Sequence, residues 1–297
     1  MRGRQEGQPL LETVSKLCHP REIHRAQFKH ETPVAVFLSP SRHVKPEQAK
    51  RDYDSLAADY DQYYASITSS VLEAQLIGAA LGDLTGLTVL DLGGGTGIHA
   101  RRAIEQGAVA VDLVDVSPAM IKVAADVERS LGRNIIRFFE ADVAKPLSHL
   151  PLRQEGYDVV MANWVLDFAE TTDVLEAMLR NVVDHLKISG LFVGVRVANP
   201  YSVNLQTGKY GVTYTRLQPF PGGVKYHVTI HCNPPLDFDA ASLELLYSGS
   251  SEAYEKSGLA DVEVVPFEEM SVVREDPGYW KEFLEDPFFA VVKAVKK

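Results

Sequence analysis

The stretch Val89-Leu-Asp-Leu-Gly-Gly-Gly-Thr-Gly97 constrains this chain more than any other. Val89 to Leu92 is a short apolar run suited to a buried strand, and the glycines after it force a tight turn. Beyond the turn, Ile98 to Gln106 reads as a helix. A strand, a glycine turn and a helix N-terminus together aim backbone N–H groups at a polar ligand. Asp91 adds a carboxylate at the strand end, fit to hold a hydroxyl or an ammonium.

Spacing separates the ligands that use such a turn. A dinucleotide turn needs G-x-G-x-x-G, with the third glycine allowing the helix to pack closely on the strand. Here Gly93, Gly95 and Gly97 stand at G-x-G-x-G, and the third dinucleotide position falls on Ile98. An NAD-dependent oxidoreductase is therefore disfavoured.

The rest of the chain repeats strand and helix. Ala108 to Val116 is a second apolar run, ending at Asp115, with Ser117 placed to cap a helix over 119–131. Asp115 follows Gly97 at about the interval where α/β nucleotide sites put the acid that takes both hydroxyls of a ribose. Further strands are expected at 135–139, at Tyr157 to Met161 and at 190–197, with a helix over 171–186 between the last two. Strand character at 210–218, 224–232 and 237–247 breaks the alternation. The Pro219–Gly223 turn lies between the first two of these strands. A closing pair of strands is expected at 259–267 and 288–296.

These motifs, in this order, resemble the class I S-adenosylmethionine (SAM)-dependent methyltransferases, whose first motif is hydrophobic-D-x-G-x-G-x-G. The resemblance runs from about residue 46 to 297, and within the family it is nearest to the small-molecule, toxoflavin-synthase-like group. It implies a Rossmann-like α/β fold. A seven-stranded, mostly parallel sheet with an antiparallel last strand has helices on both faces, and an antiparallel insert at about 199–247 forms a substrate lid. It implies SAM as cofactor, held by Asp91, Gly93, Gly95 and Gly97, by Asp115 and Val116, by Met120 beside the adenine, by Asp142 and Val143, and by Asn163 near the methyl group.

The upstream segment Y-D-x-L-A-x-x-Y-D is similar to the family's entry helix, which places Tyr53 and Tyr60 on the cofactor. For the substrate, the candidates are Tyr64, Trp164, Tyr201, Tyr210 and His227. His227, His231 and Asp167 have the chemistry of a base, and the residues do not choose among them, so the catalytic residue is unassigned. Asn163-Trp-Val-Leu166 departs from the N-P-P-Y/F motif of enzymes that methylate nucleobase amines, which argues against nucleic acid.

Composition agrees with a small-molecule enzyme. A formal net charge of -10 does not suit a phosphate-backbone surface, and Cys18 and Cys232 are too few for a disulfide framework or a zinc cage. No metal-ligand spacing is present. No apolar run reaches membrane-span length, so the expectation is a cytoplasmic protein with a small-molecule partner and no membrane. The residues decide neither monomer nor homodimer. Residues 1–45, with scattered histidines, are expected to be a partly ordered arm. The alternative function is SAM binding without transfer, in a regulatory protein or one catalysing a rearrangement.

Overall fold

The computed structural model describes residues 67–297 except Pro234. The expected arm over 1–45, the entry helix and Tyr53, Tyr60 and Tyr64 lie outside the described residues.

Helix α1 (Thr68–Leu81) leads into strand β1 (Thr88–Leu92), the glycine turn and α2 (Ile98–Glu105). There follow β2 (Ala110–Asp115), α3 (Pro118–Ser130), β3 (Ile136–Glu140) and β4 (Tyr157–Met161). A 3₁₀ turn (Val165–Phe168) precedes α4 (Thr172–His185) and β5 (Leu186–Val197). Ser117 caps α3, accepting the Met120 N–H at 3.1 Å, and Thr171 caps α4 through the Val174 N–H.

The strands form a seven-stranded sheet in the order β3-β2-β1-β4-β5-β10-β9, where β9 is Leu259–Val264 and β10 is Phe289–Lys296. β1 to β5 pair in parallel, while β10 runs antiparallel between β5 and β9. The fold class is the one the motifs imply. Parallel strands demand cover on both faces, and the residues supply it by alternation. Val89, Val111, Val159 and Val193 join one core, Leu90, Val114, Val160 and Phe192 the other. α1 buries Leu72, Leu76 and Ile77 completely in the first core. Each of those side chains contributes about 1.5–3 kcal/mol by leaving water.

Between β5 and β9 lie a short α5 (Asn204–Thr207) and a separate antiparallel sheet, β6 (Val212–Phe220), β7 (Gly223–Ile230) and β8 (Leu236–Leu243). Short helices α6 (Glu244–Tyr247) and α7 (Glu252–Lys256) follow. The connection between β6 and β7 is shorter than the sequence suggests. Pro219 and Phe220 stay in the strand, paired with Val224 and Gly223. Pro219 is tolerated because β6 is an edge strand, where a missing N–H costs no ladder bond. Leu243 ends β8 and Glu244 starts a helix, so the strand expected over 237–247 stops short. β5 begins earlier than expected, at Leu186, because the segment before Gly190 is absorbed as an irregularity in its pairing with β4.

After β9, α8 (Ser271–Glu275) and α9 (Pro277–Glu285) carry the chain to β10. Trp280 and Phe283 of α9 are fully buried against Tyr210 and Phe288. Among the described residues no helix is long and apolar enough to cross a membrane.

Candidate functional site

All five parallel strands end on one edge of the sheet, and the side chains gathered there form the candidate site. Gly93, Gly95 and Gly97 adopt φ of 70°, 53° and 79°, a backbone region that costs an ordinary side chain. Two neighbours set a second demand. A Cβ on Gly93 would stand 2.6 Å from Val165, and one on Gly94 would stand 2.6 Å from Leu113 and 2.8 Å from the Asp91 carboxylate. A Cβ on Gly95 would meet nothing within 4 Å, so the turn leaves open space on that side.

Asp115 closes the turn. Its Oδ2 accepts the Gly95 N–H at 2.8 Å and its Oδ1 the Ser117 N–H at 2.8 Å. These two bonds fix the carboxylate in place at the turn. Val116 follows it, and Met120, in the first turn of α3, is buried beside it in sequence. At the end of β3, Asp142 accepts the Ala144 N–H at 2.9 Å, and Lys145 lies 3.3 Å from its other oxygen. The Asn181 amide of α4 donates to the Val143 and Lys145 carbonyls at 2.9 and 2.8 Å, holding that loop from behind.

Asp91 is 1% exposed, and its Oδ2 has no hydrogen-bond partner among the described residues. Burial pushes its carboxyl from 3.8 up to about 7, against the pull of His99 and with a further push from Asp115. Asn163, at the end of β4, is buried, and neither its amide oxygen nor its nitrogen has a partner among the described residues. Buried polar groups are ordinarily paired, and two orphaned ones facing the ends of β1 and β4 mark a place for a polar ligand. A ligand carrying an ammonium, a diol and a heteroaromatic ring fits this donor and acceptor set.

A second group of residues lies beyond Trp164. Trp164 has φ of 64°, rare for a large side chain. Its indole Nε1 donates to Glu73 Oε2 of α1 at 3.0 Å, and its ring lies 5.9 Å from Phe289. The other oxygen of Glu73 is 3.3 Å from His99 Nε2 on α2. Glu73 therefore ties α1 to the glycine-turn helix and to the chain after β4.

Trp164 borders a cavity of about 90 Å³ between this edge and the insert sheet, lined also by Asp167, Tyr214, Tyr226, Val228 and Phe289. Asp167 is buried, with Oδ1 accepting from Ser242 Oγ at 2.8 Å and Oδ2 from the Val197 N–H at 3.0 Å. Burial raises its carboxyl to about 6, opposed by those bonds and by Arg196. Because Ser242 spends its proton on Asp167, Tyr226 donates to Ser242, 2.7 Å away. Burial holds the Tyr226 hydroxyl well above its ordinary pKa.

Of the substrate candidates among the described residues, the structure brings only Trp164 to this cavity. Tyr210 is a core residue instead, its hydroxyl donating to the Tyr279 carbonyl at 3.0 Å and accepting the Phe283 N–H at 3.1 Å. His227 lies on the opposite face of β7 from Tyr226 and Val228, as strand parity requires. Its Nδ1 is 2.7 Å from Asp239, and Asp237 is 3.3 Å from Nε2. His231 is exposed near Thr213, and Tyr201 is half-exposed with its ring edge against Tyr247. Of His227, His231 and Asp167, only Asp167 lines the cavity, beside a second carboxylate, Glu73. Glu73 and Ser242 were not singled out from sequence. The signal for Glu73 was available, since it is a lone carboxylate inside the apolar run from Val71 to Leu81.

Comparison with known proteins agrees with this architecture. Residues 89–190 match the family model described as a methyltransferase domain. The demethylmenaquinone methyltransferase of Lactococcus lactis subsp. lactis (strain IL1403) is 25% identical over 187 residues, 61% of this chain and 70% of that protein. Among solved structures, the CcbJ methyltransferase from Streptomyces caelestis is 20% identical, with a TM-score of 0.56 over 82% of this chain and 97% of its own. The DhpI–SAM–HEP complex is 19% identical, with a TM-score of 0.56 over 86% of this chain and 99% of that one. At these identities the solved structures establish the fold. Residues 89–190 thus carry a methyltransferase-domain match on a Rossmann-like fold, and this likeness supports SAM as the cofactor.

Proposed function

We propose that this protein transfers the methyl group of SAM to an O, N, S or C nucleophile of a small molecule. The observation that carries the reading is the adjacency of two features. Orphaned buried groups, Asp91 and Asn163, stand at the strand ends, and a mainly apolar cavity begins at Trp164, the residue after Asn163.

In this reading Asp115 takes the ribose hydroxyls, with Val116 beside it, and Met120 and Val143 cover the adenine while Asp142 accepts from its amino group. Gly93, Gly95 and Gly97 let the backbone approach the ligand, and Asp91 receives the ammonium. Tyr53 and Tyr60 complete the cofactor site from the entry segment. The bound cofactor supplies an activated methyl on a sulfonium, so the chain's work is alignment and exclusion of water. Trp164, held by Glu73, forms the wall between the cofactor site and the cavity. The insert sheet covers the acceptor.

The test is incubation of the purified protein with methyl-labelled SAM and a panel of metabolites. Labelled product formed in step with S-adenosylhomocysteine (SAH) supports the reading. An acceptor altered while SAM stays intact would replace it with a rearrangement that keeps the cofactor as a bound charge.

A further inference from the structure

Resting on the methyl-transfer reading, we propose that the acceptor is a neutral, mainly apolar molecule carrying a ring, seated in the recess between the stacked Tyr214 and Tyr226 and the Trp164–Phe289 pair. The walls decide the charge. Among the described residues that line the recess there is no Lys, Arg or His, and its two carboxylates, Glu73 and Asp167, are both already engaged. Glu73 is held by the Trp164 indole and His99, and Asp167 by Ser242 and the Val197 N–H.

An anionic acceptor would lose its hydration in an apolar recess and meet like charge there. A cationic acceptor would have to compete with the indole, hydroxyl and backbone donors that already hold these carboxylates. A protonated amine also has no lone pair for a methyl group, so a nitrogen acceptor must enter neutral.

The walls also favour a flat group. Tyr214 and Tyr226 stack at 4.2 Å with 9° between their planes, and Trp164 and Phe289 lie 5.9 Å apart. Rings of this kind gain more from an aromatic partner than from an aliphatic one of equal area. The recess, about 90 Å³, is smaller than the ~150 Å³ at which an apolar cavity encloses a benzene. It therefore covers part of one ring and leaves the remainder of the acceptor outside.

The experiment is calorimetry at pH 7.5 on full-length protein, first with SAH, then on the SAH-loaded protein with three matched probes: 4-ethylphenol, 4-ethylbenzoate and 4-ethylbenzylamine. The phenol is expected to bind at least tenfold tighter than the acid or the amine. Val228→Trp, which fills the recess from β7, is expected to abolish the phenol's heat while SAH binds as in the wild type. Ala240→Leu fills it more gently from β8 and serves if the tryptophan variant fails to take up SAH.

The acid or the amine binding as tightly as the phenol overturns the proposal. So does the absence of saturable phenol binding to SAH-loaded protein, or phenol binding unchanged in a filled variant that still takes up SAH. Failure of the wild type to bind SAH is a separate result, and it sinks the methyl-transfer reading itself.

Discussion

Replacing Asp91 by Asn should stabilise the ligand-free protein while weakening its hold on SAM. Burial raises the Asp91 carboxyl from 3.8 to about 7. The folded chain therefore holds a proton on Asp91 over a range where the unfolded chain has lost it. Stability falls as pH rises through that window and levels off above its upper end. A rise of that size corresponds to about 4 kcal/mol of destabilisation at pH 8, and about 1.5 kcal/mol at pH 5. Asn keeps the shape and carries no charge, so Asp91→Asn should recover most of that difference. For a domain of this length the gain is a melting-temperature rise on the order of 10 °C at pH 8, and only a few degrees at pH 5. Calorimetric melts of ligand-free wild type and variant at both pH values measure it. A gain that does not grow between pH 5 and pH 8 would refute the reasoning, and so would a loss of stability at pH 8. The same variant should bind SAM more weakly, because a buried carboxylate kept at such cost is useful only when a cation arrives.

Three further substitutions probe the scaffold of the site. Gly94→Ala places a Cβ against Leu113 and the Asp91 carboxylate, and should cost about 1–3 kcal/mol in chemical denaturation and abolish SAM binding. Asn181→Ala removes both donors to the Val143 and Lys145 carbonyls, for a loss of about 1–3 kcal/mol seen in urea unfolding, with weaker SAM binding by calorimetry. Ser242→Ala strips Asp167 of a donor and Tyr226 of its acceptor. It should destabilise the protein by a similar amount, and the loss should grow from pH 5 to pH 8 as Asp167 is asked to ionise without its donor.

The parallel half of the fold was readable because its signals are local. Each strand from β1 to β4 is a short apolar run closed by a turn residue, and Ser117-Pro118 announces α3 by itself. The insert was less legible for physical reasons. Proline normally ends a strand, and only β6's place at the sheet edge lets Pro219 stay in the ladder. The strand after 236 carries no breaker where it turns into α6.

Choosing residues that face the cavity required knowing which side of the insert sheet packs inward. β7 alternates Tyr226 and Val228 with His227 and Thr229, and both sets look functional in sequence. The first core takes the former, so the histidine is turned outward. Tyr210 misled for the opposite reason, since a tyrosine with two backbone partners can be wholly buried. The electrostatics of Asp91 were invisible until burial was known, though its position was not.

The most direct test of the central claim is calorimetric titration of SAM and SAH on the wild type and on Asp115→Ala. The account predicts saturable binding of both to the wild type. It predicts at least tenfold weaker binding to the variant, which loses the acceptor for the ribose hydroxyls. No binding to the folded wild type, or equal affinity in the two proteins, would contradict the assignment of this strand edge as the cofactor site.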